Sequence, residues 1–95
     1  MATFRDGLMR LVEQGCDLTP RQLAVLFVAH ESGGDPLTQR QIARELGISP
    51  PVVCRALDRL ALAGLATRKH DDVDKRLMRA VPTAAGRKFV ERLAA

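Results

Sequence analysis

The sequence predicts a mainly α-helical domain that carries one small β-hairpin. Helix-start signals recur along the chain, and apolar residues repeat at helical spacing through most of it. The spacing of the apolar residues changes to the pattern of β-strands only after Gly64. A chain of 95 residues is long enough for one domain with a small hydrophobic core, so we assign residues 1–95 to a single domain.

Two helices are predicted in the first third of the chain. The first is predicted over about residues 3–14, with Thr3 preceding its apolar face and Gly15 ending it. For the second, Thr19 and Gln22 have the spacing of a capping box. The segment LAVLFVA that follows is apolar nearly all round, which indicates a buried central helix. The segment ESGGDP then ends it.

A helix-turn-helix pair is predicted over about residues 38–63. Thr38 and Gln41 have the spacing of a second capping box, and Gly47 is well placed to end that helix. Ser49 is the expected N-cap of the next helix, whose buried face has apolar residues at helical spacing. These residues are Val53, Ala56, Leu57 and Leu60. Helices joined by a tight glycine-containing turn are typical of helix-turn-helix motifs.

A charged hairpin follows the second helix of this pair. The segments LATRK and LMRAV are typical of short strands, so residues 65–81 form a hairpin whose tip is HDDVDKR. A last helix is predicted over about residues 83–94, with Phe89, Val90 and Leu93 facing inward. A hairpin in this position is a wing, and the predicted fold is therefore a winged helix-turn-helix.

The net charge of the chain lies in its middle. Between Thr38 and Val81 there are nine Arg and Lys residues against five Asp and Glu, whereas the remainder has six of each. A local basic surface is typical of a polyanion binder, although a solvated face explains it as well. With three Phe and no Trp or Tyr, the chain has little on which to stack unpaired bases, which favours double-stranded DNA.

Other classes of function have little support in the sequence. Cys16 and Cys54 have neither metal-ligand nor disulfide spacing, and no catalytic, phosphate-loop or zinc motif occurs, so we expect no enzyme, cofactor or metal. Residues 72–74 resemble the start of a calcium loop that lacks its glycine and terminal Glu. The apolar run 23–29 is too short to span a bilayer, and we expect a cytoplasmic protein with no membrane partner.

The second helix of the pair, over residues 50–63, is the expected recognition helix. Arg55 lies one turn into it, where arginine can pair with a guanine edge; a phosphate contact or an ion pair with Asp58 are the alternatives. Cys54 is interpreted as a small contact residue, with redox sensing as the alternative. The full set of predicted DNA-binding residues is Gln39, Arg40, Ser49, Pro50, Pro51, Cys54, Arg55, Arg59, Lys75 and Arg76.

Three aspartates lie inside the densest basic stretch, at the tip of the wing. Asp side chains accept hydrogen bonds from nearby backbone N–H groups and so stabilise tight turns. We therefore expect Asp71 and Asp72 to shape the entry to the turn. Asp74 is expected to support Arg76, which reaches the DNA.

Residues 18–86 resemble the DNA-binding core of the MarR family of bacterial regulators. The segments LTPRQLAVL, QIARELGISPPVVCRALDRLALAGLATR, DDVDKR and PTAAG match that core in order. Residues 74–76 fit the Asp-x-Arg motif of the family's wing. The resemblance implies control of bacterial transcription, with Arg76 in the minor groove and Asp74 steadying the wing. Residues 50–51 and Pro82 depart from the family's usual pattern.

We expect a homodimer, since bacterial regulators of this kind usually double a small DNA contact through two-fold symmetry. The interface is predicted on helices 3–14 and 84–94. Their spare apolar side chains are Phe4, Leu8, Leu11, Phe89, Val90 and Leu93. MarR proteins continue into a longer C-terminal region that forms their dimer. The last helix here ends after about three turns, so we expect a short form of the family.

A second function stays open at this point. A winged helix can also be a protein-interaction module, such as an antirepressor or accessory factor that binds another regulator. The start of the recognition helix, residues 50–52, is apolar and would suit a protein partner. Arg55 and Arg59 on the same helix favour DNA.

Overall fold

The computed structural model describes residues 4–13 and 17–94. Within them it has five helices and one two-stranded antiparallel sheet, which confirms the predicted fold class and element order. The elements are α1 Phe4–Glu13, α2 Pro20–Glu31, α3 Gln39–Leu46, α4 Pro50–Leu62, β1 Ala66–His70, β2 Met78–Pro82 and α5 Ala84–Ala94. Thr3, Gly15 and Cys16, to which the sequence analysis gave roles, lie outside the described residues.

Both predicted capping boxes are present. Thr19 accepts a hydrogen bond from the N–H of Gln22, whose side chain accepts one from the N–H of Thr19. Thr38 and Gln41 repeat the arrangement at the start of α3, with distances of 2.8 and 3.2 Å. Gly47 ends α3 in the left-handed region at φ 66°, a conformation that favours glycine. Helix ends in this chain therefore follow from local sequence.

The side chain of Ser49 does not make the N-cap hydrogen bond that was predicted for it. Ser49 occupies the N-cap position of α4, but its side chain makes no capping hydrogen bond. The next two residues are Pro50 and Pro51, and proline has no N–H to donate. The first available amide, that of Val52, donates instead to the carbonyl oxygen of Ser49 at 3.0 Å.

The core surrounds α2, which packs against α3, α4, α5 and β2. Its largest fully buried side chains are Leu26, Ile42, Leu57, Leu60, Val25 and Val53. Each contributes about 1.5–3 kcal/mol of hydrophobic free energy. The predicted buried face of α4 is confirmed in full. On α5, Val90 is buried, whereas Phe89 and Leu93 are half-buried.

The wing is attached to the start of the helix-turn-helix. Strands β1 and β2 pair in register from Ala66 opposite Pro82 to His70 opposite Met78. On its other edge, β2 meets the segment before α3: the N–H of Ala80 donates to the carbonyl oxygen of Leu37 at 3.0 Å, and an isolated bridge joins Thr38 to Arg79. These contacts were not predicted, and they fix the wing relative to α3.

The start of α5 lies close to the end of α4. The hydroxyl of Thr83 accepts from the N–H of Gly86 at 2.9 Å and donates to the carbonyl oxygen of Gly64 at 2.7 Å. Gly86 is buried, and a Cβ atom there would lie 1.9 Å from the carbonyl oxygen of Leu65. A side chain at this position therefore requires the backbone after α4 to move.

We predict that Gly86→Ala lowers the free energy of unfolding by about 1–3 kcal/mol, despite the better helix propensity of alanine. Urea denaturation measures this. Gly34→Ala is the matched control, because Gly34 has open space around its Cβ position and no positive φ. It should change stability little. Equal effects of the two substitutions would contradict the packing argument.

Candidate nucleic-acid interface

Three segments that are distant in sequence form one surface. A groove of about 420 Å³ separates the start of α3, the start of α4 and the wing. It is lined by Thr38, Gln39, Arg40, Pro50, Asp74, Arg76, Leu77 and Met78. Five of these were assigned to DNA contact or wing support from the sequence, and the structure brings those five together.

The outward face of α4 has one prominent cation. Arg55 is exposed, and its side chain has neither a hydrogen bond nor an ion pair among residues 4–13 and 17–94. Asp58, the alternative partner considered for it, bonds to Arg68 of β1 instead. Arg59 is half-buried and pairs with Asp17, which precedes α2, at 2.9 Å. The two arginines of α4 thus differ in exposure and pairing, and the side chain of Arg55 is the more available for contact with a ligand.

Arg68 connects the recognition helix to the wing. Besides Asp58, its guanidinium donates to Sγ of Cys54 at 3.5 Å. Arg68 lies two residues after the buried Ala66, and alternate strand residues share a face, so both are directed toward α4. The alternation of strand residues was the signal that could have indicated the contact between Arg68 and α4. This contact was not predicted from the sequence.

The turn of the wing is organised by one carboxylate. One oxygen of Asp71 accepts from the N–H groups of Val73 and Asp74 at 3.1 and 2.8 Å, and the other accepts from Nε of Arg79 at 2.7 Å. Arg79 also donates to the carbonyl oxygen of Pro36. The N–H of Asp74 and, after it, the guanidinium of Arg79 hold the pKa of Asp71 below its usual value of 3.8.

Asp74 binds the arginine that it was predicted to support. Its carboxylate accepts from the backbone N–H, Nε and Nη2 of Arg76, each at 3.1 Å. The side chain of Arg76 remains 90% exposed. The side-chain bond from Arg76, followed by the bond from its N–H, lowers the pKa of Asp74, and the same pair raises the pKa of Arg76. A fully charged arginine is therefore held at the tip of the wing.

The remaining wing residues have smaller roles. Asp72 is exposed and forms no hydrogen bond within the described part of the chain, so the shaping role predicted for it is wrong and belongs to Asp71. Lys75 is exposed, and its carbonyl oxygen accepts from Nδ1 of His70 at 2.8 Å, across the turn. Val73 projects from the tip with 95% exposure.

The described residues hold neither a metal-type cluster nor a membrane-type helix. No group of three or more His, Cys, Asp and Glu side chains among them is arranged to hold a metal ion. The helices of residues 4–13 and 17–94 are too short or too polar to cross a membrane.

The predicted dimer surface is only partly available. On α1, Leu8, Met9 and Val12 are exposed, the last by 75%. Leu11 is half-buried and lines an apolar groove between α1, α2 and α5. Val90 is buried in the core, so its assignment to an exposed interface is wrong: its helical position directs it inward. The side chain of Phe4 lies outside the described part of the chain.

A helix-turn-helix followed by a basic hairpin and a closing helix defines a winged helix-turn-helix domain. The model of the MarR family matches residues 17–77, and the chain belongs to that family. It is 31% identical over 80 residues to the helix-turn-helix-type transcriptional regulator YcgE of Bacillus subtilis, covering 84% of this chain and 51% of that protein. The regulator YhbI of the same organism is 29% identical over 87 residues, covering 92% and 55%. The chain thus spans about half the length of these curated relatives. Both are transcriptional regulators, which confirms the prediction that the chain is not an enzyme.

Solved structures support the same assignment. The MepR–DNA complex of Staphylococcus aureus superposes with a TM-score of 0.84 at 30% identity, over 95% of this chain and 72% of that one. The YusO protein of Bacillus subtilis superposes with a TM-score of 0.79 at 29% identity, over 95% and 61%. The winged-helix fold is therefore shared with a protein that has been solved on DNA.

We predict that Arg79→Gln raises the pKa of Asp71 part of the way toward 3.8, since the largest cause, the N–H of Asp74, remains. Carboxyl-carbon NMR titration measures this. Lys75→Gln is the control, because it removes the same charge from the wing without removing a bond to Asp71. An unchanged pKa in Arg79→Gln would contradict the assigned contact.

The lowered pKa of Asp71 also makes the stability of the wing depend on pH. A carboxylate whose pKa is lowered by folding contributes its stabilisation fully above its unfolded value and loses it as the pH falls through the folded value. The bonds of Asp71 should therefore support the wing at neutral pH. They should be lost as the pH falls below 3.8, where the protection of the Val73 and Asp74 amides, measured relative to their intrinsic exchange rates, should decrease. In Asp71→Asn, exchange at these amides should be fast already at neutral pH.

Proposed function

We propose that the protein is a transcription regulator that binds double-stranded DNA at specific sequences, with α4 in the major groove and the wing at the adjacent minor groove. The observation that carries this proposal is the groove that joins the start of α3, the start of α4 and the wing, where Asp74 fixes the exposed Arg76; Arg55, exposed on α4, has no side-chain partner among the described residues. The MepR–DNA complex supports it by likeness of fold.

Base recognition falls to Arg55 in this proposal. Arginine binds the O6 and N7 atoms of guanine through two parallel hydrogen bonds. The outward position of Arg55 near the start of α4 suits that contact. Cys54 and the two prolines of residues 50–51 lie beside it and complete the surface that faces the bases.

Backbone contacts surround this centre. Gln39 and Arg40 begin α3, and Ser49 has a hydroxyl group that is not used for capping, so we assign these residues to phosphates. Lys75 adds a cation on the wing. Arg59 is paired with Asp17, so we assign it the smallest contribution to these backbone contacts. Such contacts position a protein on the duplex without specifying its sequence.

In this proposal Arg76 of the wing contacts the minor groove. That groove presents a degenerate base pattern but a strong negative potential where it is narrow. A charged arginine on a braced turn suits such a site. We assign Asp74 to orienting Arg76 and Asp71 to shaping the turn that carries both.

We further propose a cytoplasmic homodimer that joins through α1 and α5. The exposed apolar side chains of α1, namely Leu8, Met9 and Val12, provide the surface, with Leu11 and Leu93 lining the adjacent groove. Two copies related by two-fold symmetry would present two recognition helices to a palindromic site.

A salt titration on random genomic duplex, followed by selection of bound sequences, tests the function as a whole. The proposal requires an enriched motif and an affinity that falls steeply with salt. The absence of a motif, together with little affinity at physiological salt, would instead indicate a protein-interaction module that uses the apolar start of α4.

Arg55 and Arg76 should behave differently when replaced. Arg55→Ala should cost about 1–3 kcal/mol on the preferred duplex and relax preference at one or two positions. Arg76→Ala should weaken binding to all duplexes and reduce the salt slope by roughly one unit, with a smaller change in motif. Affinity measured by fluorescence anisotropy on preferred and random duplexes distinguishes them. Identical behaviour of the two variants would refute the division of roles.

Asp74→Ala provides the sharpest control for the wing. Removing a negative charge beside DNA predicts tighter binding by charge alone. If Asp74 orients Arg76, the variant should instead bind more weakly and resemble Arg76→Ala in part. Tighter binding than wild type at every salt concentration would show that the aspartate has no supporting role.

The proposed interface predicts a contrast between two exposed apolar residues. Val12→Asp should shift the protein toward monomer in sedimentation equilibrium at tens of micromolar, because it places a charge on the α1 surface. Leu62→Asp is the matched control, since Leu62 is 83% exposed at the far end of α4 and should leave the dimer intact. A wild-type protein that is monomeric with and without DNA would refute the proposal.

A further inference from the structure

The first turn of α4 lacks the donors that helices usually offer. Pro50 and Pro51 occupy its first two positions, and both are exposed. Proline has no N–H group, and the next two amides, those of Val52 and Val53, donate to the carbonyl oxygen of Ser49 at 3.0 and 3.2 Å. This helix start therefore presents CH₂ groups where helices commonly bind anions.

The two prolines face different parts of the proposed interface. Pro50 lines the groove next to the wing, together with Asp74 and Arg76. Pro51 precedes Arg55 by four residues, and residues at this spacing are neighbours on one helix face, about 6 Å apart along the axis. Pro51 is thus adjacent to the arginine assigned to base recognition.

The polar groups of Cys54 and Asp58, on the same part of the helix as Pro51 and Arg55, are partly engaged by Arg68. Sγ of Cys54 accepts from Arg68, and the carboxylate of Asp58 is bonded to the same guanidinium. The ring of Pro51 itself has neither a donor nor an acceptor, so a cytosine or adenine amino group that faces this ring would find no partner on it. Burying such a group without a partner is unfavourable.

We propose that Pro51 reads the C5-methyl group of a thymine that lies within about two base pairs of the base bound by Arg55. This inference rests on the proposed function. The thymine methyl is the apolar feature of base edges in the major groove, and a rigid proline ring meets it with little loss of side-chain entropy. The preferred site therefore pairs a guanine contact with a neighbouring thymine.

Deoxyuridine substitution tests this directly, because it retains base pairing and removes only the methyl group. Each thymine of the preferred duplex is replaced in turn. For wild type we expect binding to weaken about fourfold at a thymine within about two base pairs of the position where Arg55→Ala loses preference, as for one buried methyl-sized group. The thymine scan is carried out on wild-type protein, and Arg55→Ala serves only to locate the reference position in the site.

Two matched variants assign the effect to its residue. Pro51→Ser should bind the thymine and deoxyuridine duplexes equally at that position, whereas Pro50→Ser, the control, should retain the difference. If Pro51→Ser still binds the thymine duplex more tightly than the deoxyuridine duplex at that position, the assignment of methyl recognition to Pro51 is wrong. Circular dichroism confirms that both variants are folded.

The outcomes separate this inference from the function on which it rests. If a motif is enriched but has no thymine at the expected position, or tolerates deoxyuridine there, methyl recognition is wrong and sequence-specific binding stands. If no motif is enriched from random duplex, the proposed function fails, and the inference fails with it.

Discussion

The position of the wing depends on the carboxylate of Asp71. It accepts from two amides of the turn and from Arg79, which in turn reaches the carbonyl oxygen of Pro36. The side chains of Asp71 and Arg79 thus connect the shape of the wing tip to the segment that leads into α3. Backbone pairing of Leu37 and Thr38 with β2 reinforces the connection.

The aspartates explain how a basic surface can be strengthened by acids. Asp71 shapes the turn, and Asp74 holds the arginine that projects from it, so their charges are directed into the wing. Asp58 similarly holds Arg68 between α4 and β1. The cost in attraction toward a polyanion is offset by the fixed placement of the remaining cations. Electrostatic complementarity of this kind depends more on where charges are held than on their sum.

Local features of the fold were predictable from the sequence, whereas most contacts between distant segments were not. The capping boxes at Thr19 and Thr38 and the buried face of α4 follow from spacings within one helix. The bond between Arg79 and Pro36 spans 43 residues and that between Arg59 and Asp17 spans 42, so no periodicity reveals them. At Ser49 the amide three residues on, that of Val52, donates to the backbone carbonyl oxygen of Ser49 rather than to its hydroxyl group, a difference that the spacing alone does not reveal.

The bidentate grip of Asp74 on Arg76 has a consequence for the unbound protein. A long exposed side chain normally samples many rotamers and loses that freedom when it enters a groove. The grip restricts this sampling before any duplex arrives, so less entropy remains to be lost on association. Under the proposed function, the same grip would also keep the guanidinium oriented during encounter with DNA. The advantage is thus one of preorganisation, and it would appear in the entropy of binding rather than in any additional contact.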